Sequence, residues 1–319
     1  MSSKTIVAAT RRLPAACEAR LSSHYDFRPG DDELAYTPRL LADHAAGASA
    51  LIVSPCDRID REAIAALPAS IKIIASFSVG FEHIDIDAAK GGNLRVTNTP
   101  GVLNDATADI ALLLILGASR RALEGRRCLE DGGWQGFRPT LLVGTQITGK
   151  RLGIVGMGGI GAAVAKRAQA FGMTVLYHNR KPAQDAADCR FFNSLEEMMP
   201  HCDVLSLHLP LTNETQGLID ADKLAWLPAG AILINTARGG LIDDDALIAA
   251  LKSGKVAAAG LDVFAGEPKF DRRYLDLPNV FLLPHLGSAT VETRTAMGMI
   301  AITNINAVLS GKEPPYPVV

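Results

Sequence analysis

Cysteine is scarce in this chain. The five present, at positions 17, 56, 128, 189 and 202, are odd in number, and no two stand at C-x-x-C spacing. That argues against a disulfide framework and a zinc site, so the sequence predicts reduced thiols, no metal and a cytoplasmic setting. Net charge is equally slight. The 32 Lys and Arg nearly balance the 34 Asp and Glu, which gives no electrostatic reason to expect nucleic acid as a partner. A small anionic substrate would then need a local cationic site. Long apolar runs are missing too. Ile110–Ala118, the greasiest segment, is bounded by Asp109 and Arg120; it is too short for a bilayer and reads as a buried helix. Ile6–Ala9 is short and precedes Arg11 and Arg12, the reverse of the charge-then-apolar order of a secretion signal. There is no repeat signature and no low-complexity tract.

What is present is apolar residue, 48% of 319 positions, enough for a sizeable core and for two domains. Short apolar runs at 5–8, 50–53, 71–74 and 94–96 read as buried strands, with helical spacing between them, as in Arg61–Leu67. This βαβ rhythm implies a parallel sheet. Asn98-Thr99-Pro100-Gly101 interrupts it. One long helix is then predicted over Asp105–Cys128, ended by Asp131-Gly132-Gly133-Trp134. A second series of strands follows at 152–155, 173–177, 204–207, 231–235, 257–261 and 280–283. A closing helix over Glu292–Leu309 is expected to pack back on the first half. The reading is an α/β fold of two doubly wound parallel-sheet domains, residues 1–99 with 288–319 and residues 100–287. A ligand cleft is expected between them, near the carboxyl ends of the strands.

Gly156-Met157-Gly158-Gly159-Ile160-Gly161 matches G-x-G-x-x-G, after an apolar strand and before a helical stretch. Glycines there permit a tight turn and let a pyrophosphate reach backbone N–H groups at the helix N-terminus. Without a ligand it would be a Gly-rich strand-to-helix turn. The end of the next strand reads Tyr177-His178-Asn179-Arg180-Lys181, with no acid for a ribose 2′-hydroxyl. Arg180 is suited to bind a 2′-phosphate as a fork, with Lys181 adding charge, so NADPH is expected over NADH. The bland alternative is a solvated basic turn.

Further on stand His208-Leu209-Pro210-Leu211-Thr212, Asn235-Thr236-Ala237-Arg238-Gly239-Gly240, Gly260-Leu261-Asp262-Val263-Phe264 with Glu267-Pro268, and Pro284-His285-Leu286-Gly287-Ser288. With Ser78-Val79-Gly80-Phe81, Asn98-Thr99-Pro100-Gly101 and Thr107-Ala108-Asp109, this ordered set resembles the D-isomer-specific 2-hydroxyacid dehydrogenases, most of all the glyoxylate/hydroxypyruvate reductases. The resemblance covers nearly the whole chain and implies a flavodoxin-like substrate domain beside a Rossmann cofactor domain.

The resemblance implies a catalytic trio, Arg238, Glu267 and His285. Reduction of a 2-keto acid needs a held carboxylate, a polarised carbonyl and a proton for its oxygen. Arg238 suits the first two. His285 suits the third, and Glu267 would hydrogen-bond its other ring nitrogen. Singly each has a plain alternative: a turn cap, an exposed loop acid, a helix-entry residue. The resemblance further implies that Ser78, Val79, Gly80 and Ser288 join Arg238 and His285 around the substrate, with the Val79 and Gly80 N–H groups on its carboxylate. To the cofactor residues already read from the motifs, Gly156, Gly158, Gly159, Ile160, Gly161, Asn179, Arg180 and Lys181, it adds Thr107, Leu209, Pro210, Thr215, Thr236, Ala237, Arg238, Asp262, His285 and Gly287. Asp262 could instead cap a strand end, and His208 reads as structural.

The resemblance also implies a homodimer in which Trp134 approaches the neighbouring subunit, with Phe137 where a second tryptophan is expected. Two neighbours of the same reaction class are a phosphoglycerate dehydrogenase, usually longer at its C-terminus, and a D-lactate-type enzyme, expected to be acidic near position 178. A formate dehydrogenase would carry Gln in place of Glu267. From another class, a nucleotide-sensing corepressor keeps much of this site but adds peptide-binding segments not seen here.

Overall fold

The computed structural model describes residues 4–184, 186 and 188–319. The chain forms two compact units, one running to Leu103 and taking up Ala289–Val319, the other Asn104–Ser288. The first contains β1 (Ile6–Ala9), α1 (Ala15–His24), β2 (Asp26–Arg28), α2 (Pro38–His44) and β3 (Ala48–Val53). It continues with α3 (Arg61–Ala66), β4 (Ile73–Ser76), α4 (Ile86–Gly91) and β5 (Arg95–Thr97). The second opens with α5 (Asn104–Ser119), α6 (Ala122–Glu130), β6 (Arg151–Val155), α7 (Gly159–Ala170), β7 (Thr174–His178) and β8 (Arg190–Phe192). After α8 (Leu195–Met198) come β9 (Val204–Leu207), α9 (Ala221–Trp226), β10 (Ala231–Asn235), α10 (Asp244–Ser253), β11 (Val256–Leu261) and β12 (Val280–Leu282). Finally α11 (Val291–Leu309) packs in the first unit against α1 and the β3–β5 strands.

Both sheets are wholly parallel. Strands covered on both faces cannot alternate polar and apolar residues, which is why β10 (AILIN) is buried throughout. The first sheet runs β2-β1-β3-β4-β5, the flavodoxin-like order, with its switch point between β1 and β3. That point is bridged by protein: Arg11 pairs with the fully buried Asp57 at 2.9 Å, and Asp57 also accepts the Ser54 N–H at 2.8 Å. The second sheet runs β12-β11-β10-β9-β6-β7-β8, a Rossmann order whose switch point lies between β6 and β9. Among the described residues no helix is long and apolar enough to cross a membrane.

The single helix expected over 105–128 is two. α5 stops at Ser119, and Arg121 adopts a left-handed φ of 54° before α6 begins. The returning chain supplies the reason: the N–H of Thr145 takes the Ser119 carbonyl at 2.8 Å, a partner the next turn of helix would otherwise use. β2 and β8, three residues each, escape sequence reading because so short a segment shows no period.

Candidate active site

The turn from β6 to α7 lets backbone approach backbone. Gly156 has a φ of 100°, and a Cβ there would lie 2.5 Å from the carbonyl oxygen of His208, just past β9. A Cβ on Gly161 would lie 2.2 Å from the Gly156 carbonyl oxygen. Gly158, by contrast, has nothing within 4 Å of where a Cβ would sit, and no side chain caps the helix that starts beside it. An uncapped helix N-terminus behind an open glycine, at a switch point, fits the pyrophosphate of a dinucleotide. Gly159 and Ile160 form the first turn of that helix.

Asn179 follows β7 and turns onto this loop. Its Oδ1 accepts the Met157 N–H at 2.8 Å, and its Nδ2 donates to the Met157 carbonyl at 3.5 Å. Arg180 and Lys181 extend beyond it, exposed and without an ion pair among the described residues. Past β9, Leu209 is half-buried and Pro210 exposed. The Thr215 hydroxyl holds that loop together, donating to the Pro210 carbonyl at 2.8 Å and accepting the Thr212 N–H at 2.8 Å.

His285 follows β12 with a φ of 55°, uncommon for a residue with a side chain. Its Nδ1 stands 2.7 Å from Glu267 Oε2, while Glu267 Oε1 accepts the Phe264 N–H at 2.6 Å. Burial pushes the Glu267 carboxyl up, but the His285 hydrogen bond and the charges of His285 and Arg238 outweigh it and leave it below the ordinary range. Glu267 is therefore an acceptor, so Nδ1 carries the hydrogen. Nε2, on the other edge of a ring 42% exposed, makes no hydrogen bond among the described residues.

The backbone of His285 is fixed from beneath by Asp262. This wholly buried carboxylate accepts the Leu286 N–H at 2.7 Å and the Gly287 N–H at 2.8 Å. The Asp262 carbonyl takes the His285 N–H at 2.8 Å, and the Thr107 hydroxyl donates to the Gly287 carbonyl at 3.1 Å. Burial lifts the Asp262 carboxyl above its usual range, with the Leu286 and Gly287 N–H groups pulling the other way. Asp262 and Thr107, expected around the cofactor, thus both clamp the histidine loop. Ser288 ends it, half-buried.

Arg238 leaves the end of β10 through a second clamp. Buried Asn235 accepts the Ala237 N–H at 2.9 Å and donates to the Arg238 carbonyl at 2.8 Å. A Cβ on Gly239 would lie 1.8 Å from the Phe264 carbonyl carbon, so the arginine and glutamate loops touch backbone to backbone. Asn235 was missed as a site residue in the sequence. Its only signal is a polar side chain at the end of an otherwise apolar strand.

In the first unit, the turn after β4 has its carbonyls tied back. Thr99 N–H takes the Ser78 carbonyl at 2.9 Å, Asn98 Nδ2 that of Val79 at 2.8 Å and Ser78 Oγ that of Gly80 at 2.5 Å. The Val79 and Gly80 N–H groups make no hydrogen bond among the described residues. The Ser78 hydroxyl is thus engaged within its own turn.

A family model described as the NAD binding domain of D-isomer specific 2-hydroxyacid dehydrogenases matches residues 112–287. The chain belongs to this family. It is 40% identical over 320 aligned residues to the glycerate dehydrogenase of Hyphomicrobium methylovorum, covering 99% of each protein. It is 40% identical to the glyoxylate reductase of Thermococcus litoralis, covering 96% of this chain and 94% of that protein. A solved structure titled NADPH-dependent glyoxylate/hydroxypyruvate reductase from Sinorhizobium meliloti, in complex with NADP and malonate, superposes with a TM-score of 0.88 at 32% identity, covering 99% and 97% of the chains.

This dehydrogenase is accordingly an NAD(P)-dependent oxidoreductase of 2-hydroxy and 2-keto acids. Its other histidine near the turn, His208, is a neutral post. Nε2 meets Ser206 Oγ at 2.8 Å and Nδ1 meets Thr236 Oγ1 at 3.3 Å, and burial pushes the imidazole down to about 4.

Proposed function

We propose that this dehydrogenase reduces a short 2-keto acid, glyoxylate or hydroxypyruvate, to the D-2-hydroxy acid with NADPH, and that His285 delivers the proton. The observation that carries the proposal is the Glu267–His285 pair at 2.7 Å, which leaves Nε2 as the one ring nitrogen open to a substrate. A bound reduced nicotinamide supplies the hydride. His285 Nε2–H gives its proton to the keto oxygen, and Glu267 balances the charge of the protonated ring and keeps it oriented. Arg238 binds the carboxylate and polarises the carbonyl with its fork of donors. The Val79 and Gly80 N–H groups, which make no hydrogen bond among the described residues, are two neutral donors suited to a substrate carboxylate. Asp262, Thr107 and Asn235 act through the loops they hold.

The preference for NADPH rests on Arg180 and Lys181 with Asn179 in place of an acid. A guanidinium that makes no ion pair among the described residues is available to a 2′-phosphate. The S. meliloti structure in complex with NADP supports this reading. The names of the T. litoralis and H. methylovorum relatives support the substrate class. We further propose a homodimer. Leu129, Trp134, Phe137 and Val143 are 62%, 57%, 89% and 62% exposed along α6 and the segment after it, an apolar surface of the kind a second copy covers.

The test is a panel of glyoxylate, hydroxypyruvate and pyruvate against NADPH and NADH, followed by the loss of reduced-nicotinamide absorbance. Turnover of the first two with a higher kcat/KM for NADPH supports the proposal. Cofactor binding without turnover of any keto acid refutes it, and gel filtration decides the dimer.

A further inference from the structure

β4 closes on Ser76, and three side chains behind the following turn form a chain of hydrogen bonds. His83 Nε2 lies 3.3 Å from Ser76 Oγ, Ser76 Oγ lies 2.6 Å from Ser78 Oγ, and Ser78 Oγ lies 2.5 Å from the Gly80 carbonyl oxygen. Ser76 is 0% and Ser78 6% exposed. The direction of the chain follows from its last link. A carbonyl oxygen only accepts, so Ser78 spends its one hydrogen on Gly80. Ser78 Oγ must therefore accept from Ser76, whose single hydrogen is thereby used. Ser76 Oγ must then accept from His83, so Nε2 carries a hydrogen. Protonation of His83 at its other nitrogen leaves this order intact.

His83 is itself anchored. Its carbonyl accepts the Ile59 N–H at 2.9 Å, and the next residue, Ile84, donates to the Phe81 carbonyl at 3.0 Å. The chain therefore connects a fixed point to the carbonyl of Gly80, the last of the three carbonyls of the turn. Each bond polarises the next, so the Ser78–Gly80 link is strengthened by the donors behind it. Loss of the first donor leaves a buried hydroxyl short of a partner and loosens the turn that carries the Val79 and Gly80 N–H groups.

We propose that His83, acting through Ser76 and Ser78, is a positioning residue for the substrate carboxylate: it fixes the carbonyl side of the turn so that the Val79 and Gly80 N–H groups are aimed together. This rests on the reading above that those two N–H groups bind that carboxylate. Binding of the carboxylate is common to ground state and transition state, so its loss appears in KM and not in kcat.

The experiment measures kcat and KM for glyoxylate, oxalate binding to the NADP-loaded protein by calorimetry, and melting temperature. It compares wild type with Ser76→Ala, His83→Leu and His83→Gln. The expected result is a KM and an oxalate dissociation constant raised about 10-fold in Ser76→Ala and His83→Leu, with kcat changed less than about 2-fold. His83→Gln, which keeps an N–H donor, should return both constants to within about 3-fold of wild type. Should Ser76→Ala fail to fold, the His83 pair carries the comparison. Unchanged KM and oxalate binding in a wild-type background that turns over and binds oxalate overturn this inference alone. So does a fall in melting temperature with no change in either constant, or a glutamine variant no better than leucine. A wild-type protein that neither reduces glyoxylate nor binds oxalate overturns both this inference and the reading beneath it.

Discussion

Replacing Asp262 by asparagine exchanges one buried carboxylate oxygen for an NH2 group in front of two N–H donors. In the native loop Oδ1 takes Leu286 N–H at 2.7 Å and Oδ2 takes Gly287 N–H at 2.8 Å, so the amide can satisfy only one of them. Losing a charge-assisted bond costs about 1.5–3 kcal/mol, and the N–H left facing another donor costs about 1–3 kcal/mol more. Against this, the neutral amide escapes the burial penalty that lifts the native carboxyl above its usual range. The net loss is about 2 kcal/mol, or roughly 4–8 °C in melting temperature for a unit of this size. The same change frees the loop that holds His285 at its positive φ, and a misplaced proton donor should lower kcat/KM by about 30-fold or more. Calorimetry of the dinucleotide-loaded protein and steady-state kinetics with glyoxylate measure the two effects. A variant within about 1 °C and about 2-fold of wild type would show that Asp262 does not hold the loop.

His285→Gln should lower kcat by about 10²–10⁴-fold while NADPH still quenches the protein's fluorescence; retention of kcat would remove His285 as proton donor. Arg180→Asp should cut kcat/KM with NADPH by about 10–100-fold and raise it with NADH, and an unchanged ratio of the two cofactors would dismiss the basic turn as the selector. His208 has a folded value of about 4 against 6.5 for a free imidazole, so the unfolded chain takes the proton first. Its contribution to stability is full above pH 6.5, falls by up to about 3 kcal/mol as pH drops toward 4, and should be missing from the pH–stability curve of His208→Gln. Gly239→Ala drives a methyl group into the Phe264 backbone, whose N–H anchors Glu267. We expect a loss of about 1–3 kcal/mol by urea unfolding together with a fall in kcat, and a variant as stable as wild type would show that the two loops separate freely.

Periodicity and glycine placement were enough to read most of the architecture. Strands such as 204–207 and 231–235 are legible because a strand covered on both faces must be apolar along its whole length. Gly156 and Gly161 are legible because a Cβ at either would strike backbone. Arg238, Glu267 and His285 carry their chemistry in their side chains and stand just past strands, where this fold places sites. What the sequence could not supply is which partner each polar group takes. Asp262 and Asn179 look alike on paper as ligands for a cofactor, yet the fold commits the first to Leu286 and Gly287 and the second to Met157. The break after Ser119 depends on Thr145, twenty-six residues later, and the His83–Ser76–Ser78 chain on a turn that brings three separated side chains into line. Local spacing determines which residues are apolar, flexible or chemically able. Only the closed structure decides which donor meets which acceptor, because those distances are set by contacts far apart in the chain.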